Sequence, residues 1–117
     1  MRALLVAGTA FVLSIAAAYA AALTPDEIKA TFFNGQAFTA ASPGNVKFKM
    51  VFAADGKMTR TPLAKAGARS DGTWKLSNDG FCTTWKGSGE RCFKVMTAGT
   101  NKWSVMQGST VIATWAK

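Results

Sequence analysis

Apolar and polar positions along the chain change period once. Between Leu23 and Gly35 they follow a helix, with Ile28 and Phe32 four residues apart and Thr31 or Leu23 beside them. Its start carries four local signals: Thr24 as cap, Pro25 at the first helical position, Glu27 completing a capping box, and Leu23 placed to staple onto Ile28. Asn34-Gly35 marks the stop. A helix of about three turns is marginal alone, so this one must dock on an apolar surface. From Val46 onward the period is two. Val46, Phe48, Met50 and Phe52 alternate with Lys47, Lys49 and Val51, giving one apolar face and one mostly basic face. Ala54-Asp55-Gly56-Lys57 predicts a hairpin turn with Gly56 in the left-handed region, and Met58 to Thr61 a return strand.

After a loop from Pro62 to Gly72, short strands are expected at Thr73–Ser77, Phe81–Lys86, Arg91–Met96, Trp103–Gln107 and Thr110–Trp115. Gly-containing turns separate them at the spacing of an all-β meander. The pattern predicts a mainly β fold: a small antiparallel meander or barrel of about seven strands, with one short N-terminal helix and one disulfide.

The first 20 residues read differently. Met1-Arg2 is a short positive start, Ala3 to Ala18 carry no charge, and Ala18-Tyr19-Ala20 has the small-x-small form of a cleavage site. The run of about 20 uncharged residues is also the length of a membrane anchor. Its Ala-rich composition and A-x-A ending favour a cleaved signal peptide over 1–20, followed by one β-rich domain over 21–117; Ala20 and Ala22 offer a second cut before Leu23. Export would place Cys82 and Cys92 in an oxidising compartment, periplasmic or secreted. Nine residues lie between them, with Gly87-Ser88-Gly89 near the middle, which suits a cross-strand disulfide in a hairpin. A redox-active pair would prefer the C-x-x-C spacing.

Composition removes several chemistries. The chain of 117 residues has no histidine, which excludes Ser-His-Asp and Cys-His nucleophile systems and His-bearing zinc sites. Six carboxylates remain. Asp26 and Glu27 belong to the helix start, and Asp55, Asp71 and Asp79 adjoin glycines in turns, which leaves Glu90. That set supports neither a glycosidase pair nor a calcium loop, and no S-x-x-K motif stands at Ser42 or Ser70. No cofactor, no metal site and no enzymatic activity are therefore expected.

Charge adds the most suggestive pattern. Fourteen Lys and Arg against six Asp and Glu give a net charge of +8, and cleavage after Ala20 removes only Arg2 from that count. Lys47, Lys49, Lys57, Arg60, Lys65, Arg69 and Lys75 are accompanied only by Asp55 and Asp71 over their stretch of chain. Lys47, Lys49 and Arg60 are expected on one solvent face of the hairpin, with Lys65 and Arg69 added by the following loop. Such a patch attracts phosphate-bearing or carboxylated polymers, with affinity that falls steeply in salt. General attraction to an anionic surface is the plainer alternative. Of the four Trp residues, Trp85 is expected at the surface, near the Gly87–Gly89 tip and between Lys86 and Arg91, where it could stack on a sugar ring or a base.

Gly72-Thr73-Trp74, Gly80-Phe81-Cys82-Thr83-Thr84-Trp85 and Cys92-Phe93-Lys94-Val95 form a series that resembles a group of small exported proteobacterial proteins of uncharacterised function. The resemblance implies a compact β domain and a periplasmic or secreted location, and it brings no catalytic residues. The expected function is an exported, non-enzymatic domain that binds an anionic glycan, lipid or other polyanion through Lys47, Lys49, Arg60, Lys65, Arg69 and Trp85. No sequence-specific nucleic acid recognition and no permanent membrane span after cleavage are expected. The alternative is a protein-binding module or enzyme inhibitor that uses the disulfide-braced tip from Trp85 to Arg91.

Overall fold

The structure is a computed structural model that describes residues 20–64 and 67–117; the expected signal peptide, apart from Ala20, and Lys65 lie outside the described residues. The helix forms where its signals predict, as α1 (Pro25–Phe32), and both halves of the Thr24/Glu27 capping box are made. Leu23 and Ile28 are both buried, as a staple requires. Asn34 closes the helix by donating from its side-chain amide to the Ala30 carbonyl, and Gly35 then takes a φ of 85°.

Eight strands follow: β1 (Ala37–Ala41), β2 (Lys47–Phe52), β3 (Lys57–Pro62), β4 (Ser70–Leu76), β5 (Phe81–Trp85), β6 (Arg91–Thr97), β7 (Lys102–Gln107) and β8 (Thr110–Ala116). Each pairs antiparallel with the next, and β8 pairs with β1, so the meander closes into a barrel. The expectation of about seven strands missed β1. Its sequence, Ala-Phe-Thr-Ala-Ala, has little β propensity of its own, since alanine is depleted in strands. Tertiary packing overrides that propensity. Ala40 lies opposite Phe48 on one side and Trp115 on the other, a small residue between two large ones in the barrel interior.

The two ends of the barrel differ. One is closed by α1, whose last residue Phe32 and the capping residue Phe33 insert into the barrel. The Phe32 ring meets Phe38, Trp103 and Trp115 edge-on, all at centroid distances below 5 Å. Phe33, just past the helix, stacks flat on Phe52 at 4.4 Å and lies 4.5 Å from Trp74. Trp74 is held in turn by its indole N–H, which donates to the Ala53 carbonyl at 2.8 Å. The C-terminal residue Lys117 reaches back to the Thr31 carbonyl and fastens the helix end to the barrel. The opposite end is ringed by the β1–β2, β3–β4, β5–β6 and β7–β8 connections and has no helix across it among the described residues.

The seam between β5 and β6 is short, with three register pairs. Cys82 and Cys92 are one of them, directly opposed and joined as a disulfide, as the spacing suggested. Where β6 runs on past the start of β5, residues 21–23 take over as its partner. Leu23 N–H donates to the Val95 carbonyl, Thr97 N–H donates to the Ala21 carbonyl, and Ala22 bridges to Met96.

Two stability predictions follow from this packing. Phe33→Ala should cost about 3–5 kcal/mol in urea unfolding, because both the stack on Phe52 and the contact with Trp74 are lost. Replacing both cysteines by serine should cost about 2.5–3 kcal/mol, as expected for opening an 11-residue loop, with little change in far-UV circular dichroism.

Candidate functional site

The open end of the barrel leads into a cavity of about 140 Å³. Its walls are mostly apolar and aromatic, including Phe48, Met50, Trp85, Phe93 and Ile112, above a floor of Phe52, Phe81 and Trp115. Three polar side chains share the lining: Ser42, Thr83 and Arg60.

Arg60 is the unexpected member. It was expected beside Lys47 and Lys49 on the solvent face, and the structure corrects this. The β2–β3 register pairs Met50 with Arg60 and Lys49 with Thr61. Directly opposed residues share a face, so Arg60 follows the buried Met50 into the barrel while Lys49 follows Thr61 outward. The guanidinium carbon of Arg60 lies 4.5 Å from the centre of the Trp85 ring and 5.0 Å from that of Phe48. These cation–π contacts are each worth about 0.5–2 kcal/mol according to how far the cation is desolvated.

Trp85 is also placed differently from its expectation. Its ring is half-buried and faces the barrel mouth under Arg60 instead of standing out at the hairpin tip. The reason is strand parity: Phe81, Thr83 and Trp85 alternate inward along β5. Opposite Trp85, across the β4–β5 pairing, is Gly72. A Cβ at Gly72 would come within 3 Å of the Thr84 carbonyl oxygen, the Met58 methyl and the Trp85 ring. Gly72 thus makes room for Trp85, which gives the G-x-W and C-x-x-W segments a shared packing role. The same kind of close approach explains Gly80, whose Cβ would collide with the Phe93 carbonyl.

Every carboxylate of the chain lies among the described residues, and none pairs with Arg60. Asp71 pairs with Arg69 at 3.3 Å, Glu90 with Lys75 at 3.0 Å and Asp79 with Lys94 at 3.4 Å. Glu27 caps the helix and Asp55 accepts from the Lys57 amide in its turn. Glu90, left over in the sequence, therefore has a partner. These ion pairs are solvent-exposed and contribute little to stability.

The remaining expected residues are dispersed. Lys47 and Lys49 are exposed on the outer face of β2, and Arg69 is exposed just before β4. Lys47, Arg69, Lys86 and Arg91 stand at the strand ends or turns of the open end together with Asp71 and Glu90, so Arg60 lies within a rim of net positive charge. Lys49 is further down the wall. Exposed Val46 and Leu63 belong to the same rim, linked through the Leu63 amide, which donates to the Lys47 carbonyl. Sequence reading identified Arg60 and Trp85 as binding candidates but placed both outside. It missed Phe48, Thr83 and Phe93 as cavity walls, and only the hairpin register distinguishes them from ordinary core.

The sulfurs of Cys82 and Cys92 and the carboxylate of Glu90 lie within 4.8 Å of one another, but both sulfurs are consumed by the disulfide. Comparison with protein-family models, curated proteins and solved structures returns no match to this chain.

Gly72→Ala tests the packing of this site. It should destabilise the fold by about 1–3 kcal/mol through overpacking, and it should shift tryptophan emission as the Trp85 ring is displaced. Unaltered emission and midpoint would mean that Gly72 does not set the position of the ring.

Proposed function

We propose that the chain is an exported, non-enzymatic binding domain that takes an anionic ligand at the open end of its barrel. The observation that carries this reading is Arg60. A guanidinium turned into an apolar barrel mouth, with no carboxylate of its own chain beside it, retains its full capacity for a fork-shaped pair with an incoming anion. Lys47, Lys86 and Arg91 around the mouth, with Arg69 beside its partner Asp71, add a net positive field that draws anions toward it. Lys65 belongs to the same proposal by its position in the chain.

Support for export comes from several sides. The Cys82–Cys92 disulfide is compatible with an oxidising compartment. The A-x-A ending at Ala20 stands immediately before Ala21, whose carbonyl the Thr97 amide uses, so a cut there would keep the pairing with β6 intact. The resemblance to small exported proteobacterial proteins points to the same location. The rival reading, a protein-binding module at the disulfide-braced tip from Trp85 to Arg91, would share Trp85 with the barrel mouth, since the ring also borders a surface recess with Ser88, Gly89 and Arg91.

Titration of the oxidised chain against dextran sulfate from low to physiological salt tests the reading. Arg60→Met and the Lys47→Ala/Arg69→Ala pair should each weaken binding, and the pair should also flatten the dependence on salt. An unchanged salt slope in the double variant, with Arg60→Met binding like the parent, would remove the open end as the site.

A further inference from the structure

The volume and lining of the cavity beneath Arg60 restrict what an anion at this site should look like. Resting on the open-end reading above, we infer that the ligand is a compact monoanion with a single-ring apolar body, of the aryl or alicyclic carboxylate class, whose ring enters the barrel and whose carboxylate pairs with Arg60.

Size gives the first argument. A cavity of about 140 Å³ matches the roughly 150 Å³ apolar cavity that accepts a benzene ring. It is too small for the chain of a long fatty acid, and α1 closes the far end, where Phe32 and Phe33 occupy the interior. Lining gives the second. Phe48, Phe93, Trp85 and Trp115 present ring faces and edges, which suit a flat or chair-shaped apolar body. Position gives the third. Arg60 lies nearer the mouth than the floor residues Phe52 and Phe81, because β3 runs from the plugged end toward the open end. A carboxylate at Arg60 therefore leaves the ring directed inward, with the Thr83 hydroxyl on the wall as a second polar contact. The guanidinium keeps its stack on Trp85 while its edge binds the carboxylate, since ring faces and fork hydrogen bonds use different directions of the same planar group.

Isothermal titration with sodium benzoate, cyclohexanecarboxylate, acetate, benzyl alcohol and decanoate tests this directly. Benzoate and cyclohexanecarboxylate should bind at least 10-fold more tightly than acetate, which lacks the ring, and than benzyl alcohol, which lacks the charge. Decanoate should bind no more tightly than benzoate. Arg60→Met should weaken benzoate at least 10-fold, and Ala40→Leu, which fills the cavity from β1, should do the same without touching the rim charges. Amide chemical shifts on benzoate addition provide a measurement independent of any variant: changes at Ala40, Thr83 and Ala113 are expected. Benzoate binding no tighter than acetate, or shifts confined to the rim loops, would overturn the inference. Dextran sulfate binding that persists in that event leaves the open-end anion site standing, whereas its loss in parallel would remove both.

Discussion

The interior of an eight-stranded barrel has to be filled, and this chain fills it from one end only. Eight short strands enclose a space wide enough for a layer of aromatic side chains and little more. The helix α1 delivers two consecutive rings, Phe32 and Phe33, into that space, where they meet Phe38, Phe52, Trp74, Trp103 and Trp115. Five of these seven rings are buried, and Phe81, Ile28, Met58, Val95 and Val105 join them in the core. Because α1 is short and enters beside β1, its rings reach the floor and not the mouth. The open end must therefore be finished by other means, and it is finished by a cation stacked on two rings.

That difference between the ends organises the rest of the molecule. At the plugged end, aromatic packing dominates, the capping box closes the start of the helix, and the Trp74 indole on Ala53 and Lys117 on the Thr31 carbonyl tie strand residues and the helix end in place. At the open end, Arg60 sits over Phe48 and Trp85 with basic residues about it. A guanidinium over aromatic rings closes an apolar mouth less completely than another aromatic would, because its edge still needs hydrogen-bond partners. Water can satisfy that edge, and so can an anion.

One of the two shortest seams of the wall, the other being β1–β8, receives the covalent reinforcement. The β5–β6 seam has three register pairs, one of which is the Cys82–Cys92 disulfide, and residues 21–23 extend the pairing of β6 beyond it. In a domain of this size a cross-link worth a few kcal/mol is a sizeable share of net stability. The disulfide also braces the strand that carries Trp85, so the stability of the seam and the position of the aromatic partner of Arg60 are connected.

The helix, its caps, the Asp-Gly and Gly-Ser-Gly turns, the disulfide hairpin and the alternation of most strands were all legible in the amino-acid sequence. Each depends on residues within about ten positions of one another, where backbone propensity and side-chain capping act directly. What the tertiary structure alone decided depends on pairing across the barrel. Arg60 shares the inward parity of Met58, but a cation near the end of a short strand reads as solvent-facing; the pairing of Arg60 with Met50 turned it inward and left Lys49 outside. Trp85 looked exposed beside its glycine-rich tip, but its strand parity and the space at Gly72 drew it to the mouth. β1 was invisible because alanines carry little strand signal until Phe48 and Trp115 stand on either side of them. Phe33 lay outside the predicted helical stripe, and it became core because the chain leaves α1 over the barrel opening. Alternation separates two faces of a strand, but only closure of the sheet determines which of them is the inside.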